Sequence, residues 1–113
     1  MTFTVNMTAA VELDILEIHA YIVANDSYAA AMRVIDKIEE ACLALETFPQ
    51  KGHVPPELDR IGVEAYREVH CMPFRIIYEV RGREVFVHAV LDGRRDLQSL
   101  LEWRLLRYSF SDN

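Results

Sequence analysis

The chain has 113 residues, 51% of them hydrophobic and 27% charged, which supplies one packed domain and excludes a disordered chain. A net charge of −6 argues against a general nucleic-acid-binding module, which needs a basic footprint. The first seven residues lack the basic start and apolar run of a signal peptide, and no apolar run approaches membrane-spanning length, so a cytoplasmic location is expected.

Residues 2–6 alternate Phe3 and Val5 against Thr2 and Thr4, and predict a short first strand. Thr8 is a good N-cap for a first helix of about 16 residues, whose apolar positions are Val11, Ile15, Ile18 and Ile22. Leu13, Leu16 and Ala20 broaden that face. Asn25-Asp26-Ser27 breaks the helix and offers a new cap. A second helix is expected over residues 28–48, with the stripe Ala31, Ile35, Ile38, Cys42 and Leu45, stopped by Pro49. Together the two make a helical hairpin.

Residues 50–62 hold Gly52, Gly62 and the pair Pro55-Pro56, and read as a loop. Three strands follow, at 63–72, 74–81 and 84–91. The middle one alternates Phe74, Ile76, Tyr78 and Val80 against Arg75, Ile77, Glu79 and Arg81, so the first set reads as core. In the last strand, His88 is expected on the face opposite Val85, Val87 and Ala89. Asp96 can cap a final helix over residues 97–107. The order is β-α-α-β-β-β-α. The expected fold is α+β: an antiparallel-dominated sheet with the hairpin on one face and a C-terminal helix. Residues 1–108 form the single domain, and 109–113 a disordered tail.

Cys42 and Cys71 lie in apolar segments and read as small buried hydrophobes. The charge is unevenly spread. Residues 1–60 hold ten acids and four bases, while 61–113 hold eight of each, and all eight bases are Arg. Arg suits planar, bidentate contact with phosphate or carboxylate. Arg67, Arg75 and Arg95 therefore have two readings: ion pairs with Glu64, Glu68, Glu79 or Asp96, or an anion-binding face across the sheet.

Several stretches, taken in order, resemble the RelE/ParE superfamily of bacterial toxins. They are Glu12-Leu13-Asp14-Ile15 ahead of Tyr21, the junction Leu45…Phe48-Pro49…Gly52, Tyr66-Arg67-Glu68, Phe74-Arg75-Ile76-Ile77-Tyr78-Glu79-Val80, and Asp92-Gly93-Arg94-Arg95-Asp96-Leu97. The resemblance covers residues 2–107 and implies the toxin half of a type II toxin–antitoxin pair. In the junction, Phe48 is expected to cover the core edge, Pro49 to stop the helix and Gly52 to release the chain.

RelE-type members cut mRNA on the ribosome, which needs a proton acceptor, a proton donor and a cation for the phosphate. By the motif match, Arg75 and Arg95 fall on RelE's strand arginines and Arg67 falls on one of its lysines. Val69 stands near a second lysine, and the last helix lacks the C-terminal Tyr, reading Leu97-Gln98-Ser99-Leu100-Leu101. Arg clamps phosphate but is a poor base, with a pKa above about 12. If the chain is a nuclease, Arg75, Arg95, His88 and His70 are the catalytic candidates, with Tyr66, Tyr78 and Tyr108 behind them. His19 and His53 read as surface residues, no metal-ligand cluster stands out in the spacing, and no cofactor is expected.

ParE-type members keep the fold without the nuclease set and poison DNA gyrase. The missing Lys and Tyr favour that branch, with ribosome-dependent mRNA cleavage or an inactive member as alternatives. Target contact is assigned to Arg67, Arg75, Arg94, Arg95, Trp103, Arg104 and Arg107. Leu100, Leu101, Leu105 and Leu106 crowd one short helix, which cannot bury all its sides, so they are assigned to an antitoxin partner.

Overall fold

The computed structural model describes residues 2–93 and 104–105. Strand β1 is Thr4–Met7, followed by helices α1 (Ala9–Asn25) and α2 (Tyr28–Leu43). Strands β2 (Tyr66–Cys71), β3 (Phe74–Arg81) and β4 (Glu84–Asp92) come after a loop that contains a short helix, α3 (Pro56–Asp59). The sheet order is β1-β4-β3-β2. β1 runs parallel to β4, and the other two pairings are antiparallel. The α+β fold and the antiparallel-dominated sheet are as expected. The final helix over 97–107 and the tail over 109–113 lie outside the described residues, except for Arg104 and Leu105.

Both helix starts use the caps visible in the sequence. Thr8 Oγ1 accepts from Val11 N at 3.4 Å and donates to the Val87 carbonyl at 2.8 Å, which ties the start of α1 to β4. Ser27 Oγ accepts from Ala30 N at 3.0 Å. The α2 stripe Ala31, Ile35, Ile38, Cys42 and Leu45 is wholly buried. It packs with Val11 on Val69, Phe74, Ile76, Tyr78, Val85, Val87 and Val90 of the sheet.

Some boundaries and faces differ from expectation. α2 stops at Leu43, and a 3-10 turn (Ala44–Glu46) delivers Leu45 to the core, while Phe48 stays exposed. Leu13 and Leu16 of α1 are 61% and 64% exposed, and the buried neighbour of Val11 is the acid Asp14. Asp14 Oδ2 accepts from Val90 N at 3.0 Å and from Arg104 Nη1 at 2.6 Å, so its charge is paired where it is buried. The segment read as loop contains α3 because proline at N1 has no N–H to waste and the right φ to start a helix.

The sheet is covered on both faces. Opposite the helical hairpin, Leu58 of α3, Tyr66, Ile77, Ala89, Leu91 and Leu105 form a second, smaller core. Ala89 belongs there because of a β-bulge: Ile77 pairs with Ala89, but Tyr78 pairs with Val87, so His88 is the extra residue. A bulge shifts the alternation by one, which moves Ala89 to the face opposite Val85 and Val87. No helix among the described residues is long and apolar enough to cross a membrane.

Candidate functional site

The polar residues of the sheet gather on the face that carries α3. Pairing of Glu68 with Ile77 and of His70 with Arg75 sets Glu68, His70 and Arg75 side by side. α3 brings Glu57 over them. Arg75 is the hub. Its Nε and Nη2 donate to the two Glu68 oxygens at 2.6 and 2.8 Å, and its Nη1 and Nη2 donate to the two Glu57 oxygens at 2.6 and 2.8 Å. One guanidinium thus fills two carboxylate forks, the geometry for which Arg is suited. Glu68 is 1% exposed, and the Arg75 side chain 13%. Donating to both carboxylates raises the Arg75 pKa, and accepting from Arg75 lowers that of Glu57 to about 2.

That shift sets a pH dependence. Glu57 has a folded pKa below its ordinary 4.5, so its contribution is present above about pH 4.5 and is lost as the pH falls towards 2. Wild-type stability, followed by urea midpoints, is expected to drop more steeply through that window than the stability of Glu57→Gln. Parallel slopes would show that the Glu57–Arg75 fork does not form.

Arg67 Nη1 donates to the Gly52 carbonyl at 2.7 Å, which holds the loop. Gly52 N donates to the Tyr78 hydroxyl at 3.1 Å, and that hydroxyl donates to the Pro49 carbonyl at 2.6 Å. Burial raises the Tyr78 pKa. Val69 is buried in the larger core and faces the helices. His88 Nε2 lies 3.0 Å from Glu79 Oε1, and its ring meets Tyr66 edge-on at 5.6 Å. His70 is four residues beyond Tyr66 on the same strand, roughly 13 Å along it, so His70 and His88 do not share a site. Arg104 is paired with Asp14, and Leu105 is buried in the second core. Arg94, Arg95, Leu100, Leu101, Trp103, Leu106, Arg107 and Tyr108 lie outside the described residues. Cys42 is inert, its thiol pushed up to about 12 mainly by burial. Both cysteines are free thiols, Cys42 buried and Cys71 partly so.

Two features escaped the sequence. His53 joins the cluster: it forms a β-bridge with Glu68, and its Nε2 lies 3.2 Å from Glu68 Oε2. His70 Nε2 lies 3.1 Å from Glu68 Oε1. The ligand atoms of His53, Glu68 and His70 all fall within 4.8 Å of one another. The Glu68-x-His70 spacing was a same-face signal on a strand, but His53, fifteen positions earlier, gave none. The second feature is a groove of about 670 Å³ between the hairpin and the sheet end, lined among others by Asp14, Ile18, Tyr21, Phe74 and Val90. On another side of α1, Leu13, Leu16, Ala20 and Val23 form an exposed apolar stripe.

The ParDE toxin–antitoxin system of P. aeruginosa contains a chain of the same fold, with 18% identity, a TM-score of 0.67, and coverage of 80% of this chain and 96% of that one. The RelBE2 toxin–antitoxin complex of Mycobacterium tuberculosis contains another, with 14% identity, a TM-score of 0.59, and coverage of 81% and 99%. No curated protein sequence matches the chain. The sequence profile of the ParE toxin of the type II toxin–antitoxin system parDE matches residues 5–97. The chain therefore belongs to the family of ParE toxins of type II toxin–antitoxin systems.

Proposed function

We propose that this chain arrests growth by inhibiting DNA gyrase in the cytoplasm, that it does not cut nucleic acid, and that an antitoxin encoded by the adjacent gene neutralises it. The observation that carries the target is the state of Arg75. A phosphate clamp needs an open cation, and both edges of this guanidinium are filled by Glu57 and Glu68. Arg67 gives an N–H to the Gly52 carbonyl, and Val69 offers neither a charge nor a proton. Cation stabilisation of the phosphate is needed beside any proton carrier, so a face whose arginine is closed on two carboxylates is a poor nuclease even with His53 and His70 near it. Target contact then falls to the C-terminal segment, whose Arg94, Arg95, Trp103 and Arg107 combine Arg with an aromatic.

The antitoxin reading is supported by the exposed stripe Leu13, Leu16, Ala20 and Val23, an apolar surface that an amphipathic segment can cover. The similar P. aeruginosa and M. tuberculosis chains come from toxin–antitoxin systems. We assign Leu100, Leu101 and Leu106 to the same partner.

Expression of the chain alone is expected to arrest growth. Co-expression with the neighbouring gene is expected to restore growth and to co-purify both chains. Trp103→Ala or Arg95→Ala should relieve the arrest without lowering the melting temperature, whereas Leu16→Asp should weaken neutralisation and leave the toxicity. Harmless high-level expression with no co-purifying chain would count against this function.

A further inference from the structure

We propose that His53, Glu68 and His70 form a three-ligand site for a divalent ion of the zinc class, which clips the loop ahead of β2 onto the sheet. The donor set fits that class. Two imidazoles and one carboxylate suit zinc and its first-row neighbours, whereas magnesium and calcium prefer oxygen alone. The spacing fits as well. Tetrahedral ligands about 2.1 Å from an ion lie about 3.4 Å apart. The two imidazole nitrogens lie 3.2 and 3.1 Å from the Glu68 oxygens, and the set spans no more than 4.8 Å.

The site is built before any ion arrives. His53 N donates to the Glu68 carbonyl at 3.1 Å, and Glu68 N donates to the His53 carbonyl at 2.7 Å, so the two backbones are locked in register. Arg75 fixes the Glu68 carboxylate with one lone pair on each oxygen, leaving the others towards the histidines. The charge also balances. One guanidinium shared by the two carboxylates of Glu57 and Glu68 leaves a net negative charge at the cluster for an ion. His53 and His70 are 59% and 47% exposed, which gives an ion a path in and leaves its fourth position to water.

The test uses the full-length, tag-free protein, freed of metal by a chelator and titrated with Zn²⁺, and with Co²⁺ as a visible probe. One equivalent is expected to bind, with the strong ligand-field bands of four- or five-coordinate Co²⁺, and Zn²⁺ should raise the melting temperature. The double variant His53→Ala/His70→Ala should bind at least tenfold more weakly and lose the thermal shift, while His19→Ala should match wild type. Both histidines are solvent-facing, so the double variant should keep its far-ultraviolet circular dichroism. Absence of stoichiometric binding, or equal binding by the double variant, would overturn the site.

Discussion

Arg75→Ala is expected to destabilise the protein by about 3–5 kcal/mol, the cost of leaving a buried carboxylate without its partner. Glu68 is 1% exposed, and Arg75 supplies both of its forked hydrogen bonds. Once Arg75 is gone, Glu68 keeps only the imidazoles of His53 and His70 beside it and must share a proton with them, take one up itself or pull water into the sheet face. Adding Glu68→Gln to Arg75→Ala removes the stranded charge and should recover part of the loss. Urea unfolding of the two single variants and the double variant measures this coupling. A loss below about 1 kcal/mol for Arg75→Ala would mean that the triad contributes little, as exposed ion pairs do. Reduced toxicity of Arg75→Ala is accordingly a statement about folding unless stability is measured beside it. Arg75→Lys is not a mild control either, because an ammonium cannot fill two carboxylate forks.

Tyr78→Ala is expected to be at least as damaging, at about 3–5 kcal/mol from the lost packing of a large buried ring. Tyr78→Phe isolates the hydroxyl. It leaves Gly52 N and the Pro49 carbonyl without their partner and should cost about 1–3 kcal/mol. The two positions are coupled by contact. A Cβ at position 52 would collide with the Tyr78 hydroxyl and would also sit 2.6 Å from the Glu68 carbonyl. Gly52→Ala should therefore not be rescued by Tyr78→Phe, since the clash with backbone remains. Thermal unfolding of the single and double variants checks both statements. Full rescue would show that the hydroxyl alone requires glycine at that position.

What could be read from the residue order depended on how local the cause was. The α2 stripe was legible because one period repeats along it and its other side is charged. α1 was harder, since apolar residues lie around most of its circumference. Periodicity could not show that Leu13 and Leu16 face outward while Asp14 faces in. The partners that make Asp14 a buried residue, Val90 N and Arg104, lie 76 and 90 positions away. The bulge at His88 has no signature in a run of β-branched residues, so the face of Ala89 was misplaced. Glu68 was legible as a partner for Arg75, being on a neighbouring strand. Glu57 was not, because it arrives on α3, a helix hidden behind two prolines. His53 was missed for the same reason: its position is set by the fold of the loop.

The function proposed for this toxin is inhibition of gyrase without cleavage of RNA. It is tested most directly by adding the purified chain, freed from its antitoxin, to a gyrase supercoiling reaction and, in parallel, to ribosomes programmed with a defined mRNA. Loss of supercoiling with intact mRNA is the predicted result, and Trp103→Ala should restore supercoiling. Cleavage of the mRNA in the ribosomal A site, with supercoiling untouched, would make the chain a ribosome-dependent nuclease instead.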